Sequence, residues 1–387
     1  MPRRASLAPV LALLLVALAC ATPAPRPAAD APGVVPASAS AAAPPAAGPP
    51  VAAPAGNERL RALIDAAREE GALDIVWGEN TLAGAAGIDT LVRAVNSYYG
   101  LDLKVQYTPG PSQPQVAAQL VQEFAAGRRA TTDVYIGGSE SYIATLISPT
   151  MTLEQVDWAG IFDHINPSFV AANGAALQIS SRLPGIVYNT QLIPPSEAPR
   201  TMQALLDPKW KGKISTQAYL GFFDTLSDPD IWGMERTRQY VTAYAGQVAG
   251  LIRCGEYERV ASGEYWINAL ACTEGGVRPF INQGAPLGYI VPEDAGVITH
   301  RYLAVPKHAR HPNAATLFVA FFLTPQGQQF LWDVDYEDHH GVPGTHNYQV
   351  VQDLKAKGMQ FVDVSVEREM SFPVLENAAE LQKIIQQ

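Results

Sequence analysis

Residues 185–214 read GIVYNTQLIPPSEAPRTMQALLDPKWKGKI. Gly185 to Thr190 is followed by a proline-rich turn, and the stretch closes on the turn Leu206-Asp207-Pro208-Lys209-Trp210-Lys211-Gly212-Lys213-Ile214. Upstream, Leu60, Leu63, Ile64 and Ala67 recur at helical spacing, and Leu73 to Trp77 is a short apolar run of the kind that forms a buried strand. Gly84 to Tyr99 reads as a helix with Leu91, Val92, Val95 and Tyr99 on one face. Leu103, Val105 and Tyr107 alternate with Lys104 and Gln106, so a strand follows. Val116 to Phe124 is helical, and Asp133 to Ile136 is a third strand. Downstream, Thr237 to Leu251 reads as helix, Gly263 to Ala269 as a turn into a strand, and Leu287 to Val291 and Tyr302 to Val305 as strands. Helices open at Pro312 and Thr324. Alternation of strand and helix predicts an α/β protein with a mostly parallel sheet. No internal repeat occurs.

The ends of the chain carry different signals. Arg3 and Arg4 precede an apolar run from Leu7 to Ala19, broken only by Pro9 and followed by Cys20. Residues 1–20 therefore read as a secretory signal peptide, too short for a membrane span, with Cys20 placed for lipidation. Residues 21–56 hold 15 Ala and 10 Pro. Such a segment cannot bury a core, and as a tether it reaches roughly 100 Å. The remaining stretch, about 330 residues, exceeds one ordinary core, so two lobes are expected. Net charge is −10, or −12 without Arg3 and Arg4, a poor match for nucleic acid. Cys254 and Cys272 form an even pair in an exported chain, which points to a disulfide.

The segment 185–214 resembles the crossover of bacterial ABC-transporter extracellular solute-binding proteins of the ferric-iron-binding, type 2 periplasmic class. In that family a strand ending in VYNT leaves one lobe, and a DPKWKGKI turn enters the other. LIDAAREEGALDIVW from Leu63, NAATLFVAFFLTPQGQQF from Asn313 and VPGTHNYQVVQDLKAKGMQFVDV from Val342 are similar to the same family. The resemblance implies a two-lobe type 2 periplasmic binding protein fold with discontinuous lobes joined by hinge strands. Lobe 1 would comprise 57–187 plus 297–333, and lobe 2 188–296 plus 334–387. It also implies capture of a small-molecule solute by hinge closure, and with the Cys20 leader this predicts a lipid-anchored protein at the periplasm or cell surface. An ABC permease in the inner membrane would be its partner. The chain would act as a monomer, without cofactor or catalysis.

Ligands of open α/β sheets bind beyond the carboxyl ends of strands. Four such loops supply the candidates Glu79, Asn80 and Thr81; Gly138 and Ser139; Tyr219; and Thr273 and Glu274. Arg182 is a candidate for a carboxylate or phosphonate, and Glu79 and Glu274 for an amine. Tyr188 is a candidate hinge-side contact, and Trp77, Tyr142 and Phe223 are further aromatics near strand ends. Iron-binding members carry a His in the first loop and adjacent tyrosines in the fourth. Here those places hold Asn80-Thr81 and Thr273-Glu274, so an organic solute is expected over ferric ion, and no metal ligand is assigned. Asp333 to His340 gathers four acids and two imidazoles without EF-hand or H-E-x-x-H spacing, and reads as a solvated loop. His308 and His311 read as surface. G-x-S-x-G, P-loop and G-x-G-x-x-G motifs are missing. A ferric-iron-binding protein of an iron ABC importer is the alternative within the family, and a secreted hydrolase using Ser139 and a ligand sensor are the alternatives of a different class.

Overall fold

The computed structural model describes residues 57–137, 146–147, 150–217, 220–371 and 373–386. The leader with Cys20, the tether, Gly138, Ser139, Tyr142 and Tyr219 lie outside the described residues.

The first helices form where caps allow. In α1 (Glu58–Glu70), Asn57 accepts the Leu60 N–H at 2.9 Å, and Gly71 ends the helix in the left-handed region. α2 (Gly84–Tyr99) ends at the left-handed Gly100, and α3 (Gln113–Ala125) begins with a Ser112–Gln115 capping box. Between them run β1 (Ala72–Gly78) and β2 (Lys104–Gly110), paired in parallel from Ala72↔Lys104 to Gly78↔Gly110.

Further along lie β3 (Tyr135–Gly137), β4 (Val170–Ala171), β5 (Ala176–Arg182), β6 (Gly185–Asn189), β7 (Ile214–Gln217), β8 (Val248–Ile252), β9 (Ile267–Ala271), β10 (Leu287–Ile290), β11 (Val297–Ala304) and β12 (Val362–Asp363). The longer helices of this part are α4 (Gly233–Ala245), α5 (Glu274–Asn282), α6 (Pro312–Phe321), α7 (Pro325–Asp335), α8 (His346–Ala356) and α9 (Val374–Ile385). One five-stranded sheet runs β10-β6-β9-β7-β8. Another runs β12-β11-β5-β4, with β3 also on β11.

The two five-stranded sheets pack on different apolar cores, and β1 shares the core of β5 and β11. Leu73, Trp77, Leu91, Val95, Ile179, Leu303, Phe318 and Phe322 fill one; Ile186, Met202, Ile214, Phe223, Tyr244 and Ile267 fill the other. Burial of each such side chain contributes about 1.5–3 kcal/mol. Two stretches pass between the cores. β5 gives Ile179 to the first and β6 gives Ile186 to the second, while β11 gives Val297 to the second and Leu303 to the first. Residues 180–185 and 298–302 therefore lie where the cores meet.

Two expectations are corrected. The sheets are mixed rather than mostly parallel: β6 is antiparallel to β9 and β10, and β5 is antiparallel to β11. Periodicity identifies a strand but not its direction, and β11 returns from far along the chain to reach β5. Thr237 to Leu251 is not one helix. α4 stops at Gly246, and Val248 to Ile252 joins β7 in parallel. The β-branched Val248 and a hydrogen bond from Gly212 N–H to the Gln247 carbonyl (3.0 Å) favour the strand.

Candidate functional site

A cavity of about 1110 Å³ opens beside the strand crossings. The loop after β1 forms one wall, with Gly78, Glu79, Asn80, Thr81 and Leu82. Tyr107 fixes it by donating its hydroxyl to the carbonyls of Gly78 (3.1 Å) and Glu79 (3.2 Å). The loop then turns through left-handed backbone at Leu82 (φ 50°) and Ala83 (φ 62°), an uncommon and costly conformation for residues with a Cβ. The Leu82 carbonyl sits where a Cβ on Gly87 would be, so Gly87 is what lets the loop close onto α2.

The wall at the crossings is built from charge. Arg301 on β11 bonds Asp335 Oδ2 through Nη1 at 2.5 Å and Glu337 Oε2 through Nη2 at 2.8 Å. Arg182, at the end of β5, reaches the same Glu337 oxygen at 3.4 Å. The Arg301 and Glu337 side chains are only 11% and 7% exposed. Burial alone would raise the Glu337 carboxyl, but Arg301 and then Arg182 hold it below the usual range. Both arginines are thus neutralised in place.

The remaining wall comes from the second core. Asp224 follows β7 and lines the cavity, and burial pushes its carboxyl up to about 6 against the N–H groups of Thr225, Asp224 and Phe222. Cys254 and Cys272 are bonded, with Cα atoms 6.0 Å apart, and both lie on the cavity together with Tyr257. Thr273 lines it too and caps α5 by accepting the Gly276 N–H at 3.2 Å.

Of the residues singled out in the sequence, Glu79, Asn80, Thr81, Arg182 and Thr273 share this cavity. Glu274 is not among its lining residues: it is engaged by Arg278 and by His346 (3.3 Å), whose ring stacks on Trp332. Those partners lower its carboxyl although burial opposes them. Tyr188 is 6% exposed in the second core, its ring lying against Gly288 of β10. Trp77 and Phe223 are core residues as well. The residues missed were Arg301, Asp335, Glu337, Asp224 and Tyr257. A charge inside the apolar run Val297 to Ala304 was the available signal for Arg301.

The solvated loop expected over Asp333 to His340 is corrected, since Glu337, Asp338 and His339 are buried. Glu337 is drawn in by the two arginines. Asp338 accepts the N–H groups of His346 (2.7 Å) and Asn347 (2.8 Å) at the start of α8. His339 packs on Phe169 with ring centroids 4.0 Å apart. His308 is exposed as expected, whereas His311 is half-buried against Asp133 at 2.7 Å. Among the described residues, His, Cys, Asp and Glu ligand atoms converge in threes at His300–His339–His340 and at Asp74–Asp133–His311. None of these six lines the cavity.

The family described as bacterial extracellular solute-binding protein matches residues 90–357. The major ferric iron-binding protein of Neisseria meningitidis serogroup A / serotype 4A is 26% identical over 322 residues, covering 78% of this chain and 91% of that protein. Iron-bound HitA from Pseudomonas aeruginosa superposes with a TM-score of 0.62 at 19% identity, over 81% of this chain and 99% of that one. The periplasmic binding protein AfuA from Actinobacillus pleuropneumoniae, with fructose-6-phosphate bound, gives 0.59 at 18% identity, over 82% and 97%. At these identities the structural likeness is one of fold: the two-lobe α/β fold of type 2 periplasmic binding proteins.

Proposed function

The chain belongs to the bacterial extracellular solute-binding protein family, and from that premise we propose that it is the substrate-binding component of an ABC importer, holding one small organic solute in the cavity. The observation that carries this is a cavity lined from both cores, at the point where β5–β6 and β11 cross between them. A ligand touching both walls favours the closed arrangement by its extra contacts there, so binding and hinge closure are one equilibrium. We place lobe 1 at 57–187 plus 297–333 and lobe 2 at 188–296 plus 334–387. The leader 1–20, lipidated Cys20 and tether 21–56 would hold a monomer at the membrane, within reach of its permease.

The charge of the cavity favours a class of solute. Arg182 and Arg301 are committed to Asp335 and Glu337, while Glu79 and Asp224 have no ion-pair partner among the described residues. An amine-bearing or cationic solute would meet that excess of acid. Ferric ion is the second reading, favoured by the relatives named for it and by Tyr257 and Tyr336 on the cavity. Against it, the cavity is far larger than a bare ion, and its best-placed acids are already paired with arginine.

Thermal denaturation over a panel of amines, zwitterions, sugar phosphates and ferric ion tests the proposal. The expected result is a rise in Tm with one organic class, no turnover of that compound, and loss of the rise in Asn80→Ala. Stabilisation by ferric ion alone, with a visible tyrosinate-to-iron absorption band, would establish the second reading. Hydrolysis abolished by Ser139→Ala would replace both with an enzyme.

A further inference from the structure

Behind the cavity wall, on the crossing strand β11, three imidazoles gather. His300 projects from β11, and His339 and His340 follow α7. Ring centroids are 5.7 Å apart for His300–His339, 5.8 Å for His300–His340 and 5.2 Å for His339–His340. One nitrogen from each lies within 4.8 Å of the other two. Tetrahedral zinc with Zn–N bonds of about 2.0–2.1 Å needs nitrogens about 3.3 Å apart, so side-chain adjustment of about an ångström suffices.

We propose that His300, His339 and His340 form a binding site for a divalent transition-metal ion of the zinc class, separate from the solute cavity. Two further observations support it. The Nε2 atom of His339 has no hydrogen-bond partner, and the residue is 0% exposed. A buried polar atom left unpaired calls for an explanation, and an ion is one. Ser181 and Asp363 also brace the cluster. Asp363 Oδ1 lies 2.5 Å from His300 Nε2, and Ser181 Oγ lies 2.7 Å from His340 Nδ1, while the longer contact of Asp363 Oδ2 with His340 Nε2 at 3.5 Å would give way to the ion. Metal-ligating imidazoles characteristically use their second nitrogen in this way, on a carboxylate, carbonyl or water.

Coordination also has a cost at His339. The Gly341 N–H donates to His339 Nδ1 at 3.0 Å, which leaves the ring proton on Nε2. Binding an ion at Nε2 moves that proton to Nδ1 and gives up the Gly341 bond, so the ring stays neutral throughout. Imidazole suits zinc and its neighbours, whereas the hard, oxygen-seeking cations prefer carboxylates. A water at the His340 side, whose side chain is 15% exposed, would complete four-coordination. The ion would tie residues 339–340 to β11 and stiffen a strand that passes between the two cores.

The test is equilibrium binding of Zn²⁺ to the tag-free, metal-stripped full chain, with Co²⁺ as a spectroscopic substitute. One zinc per chain is expected, together with the visible absorption bands of tetrahedral Co²⁺. His340→Gln should weaken binding on the order of a hundredfold and abolish the bands, and Asp363→Asn should weaken it about tenfold. His308→Gln and Glu79→Gln should leave it unchanged, which separates this site from surface histidines and from the solute cavity. Failure of the wild-type chain to bind zinc overturns the proposal, as does undiminished binding by a His340→Gln protein with native circular dichroism. Should that variant misfold, an octahedral rather than tetrahedral Co²⁺ spectrum of the wild type overturns it alone.

Discussion

Two walls face the same cavity and are held by different physics. The wall at the crossings closes on itself electrostatically: two arginines and two carboxylates from distant parts of the chain satisfy one another out of water. The wall after β1 carries no ion pair among the described residues. It is shaped by backbone, through the Tyr107 hydroxyl, the left-handed Leu82 and Ala83, and the missing side chain of Gly87. A solute bound there would meet a finished surface on one side and uncommitted polar groups on the other. The first wall is suited to setting shape, the second to reading the ligand.

The largest effect should come from opening the charged wall. Arg301→Ala leaves Glu337 to Arg182 alone and takes the arginine from Asp335, and a buried ion pair broken from one side typically costs about 3–5 kcal/mol. Chemical denaturation would measure this, and a loss below about 1 kcal/mol would mean that the network is solvated. Next is the Cys254–Cys272 bond on the second-core wall, which spans a sequence separation of 18. Cys254→Ser with Cys272→Ser should cost about 3 kcal/mol by chain entropy, read in the same assay against the oxidised wild type.

The backbone wall should respond less. Gly87→Ala drives a methyl into the Leu82 carbonyl, and about 1–3 kcal/mol of strain is expected. Because the displaced loop bears Asn80 and Thr81, solute affinity should fall even where the fold survives, whereas loss of stability with unchanged affinity would uncouple loop from ligand. The smallest effect concerns Asp224. Its folded pKa of about 6 lies above the unfolded value near 3.9. The folded state therefore holds the proton more tightly, and the stability this gives is present below about pH 4 and lost as pH rises through 6. Between those limits the wild type should lose about 1–2 kcal/mol more than Asp224→Asn. Parallel pH profiles for the two would show that Asp224 is already solvated.

The same contrast explains what could be read from sequence. Glu79, Asn80 and Thr81 were legible because a strand-end loop is a local feature, marked by the apolar run before it and the helix after it. Helices α1 to α3 were legible for the same reason. Arg301, Asp335 and Glu337 were not, since a charge counts as buried only once its partner is known. Arg301 and Asp335 are 34 residues apart, and Arg182 and Glu337 are 155. The acid-rich stretch Asp333 to His340 looks solvated when counted residue by residue, yet the fold draws Asp335 and Glu337 to Arg301, Asp338 to the start of α8 and His339 against Phe169. Strand direction was hidden similarly, because alternation carries no sign.

Native mass spectrometry of the freshly purified chain shows whether one small organic molecule is held in the cavity. A noncovalent adduct with the mass of one small organic molecule is expected on the wild type, lost from a folded Asn80→Ala, Thr81→Ala protein. An adduct of iron alone, or an organic adduct retained equally by that variant, would contradict it.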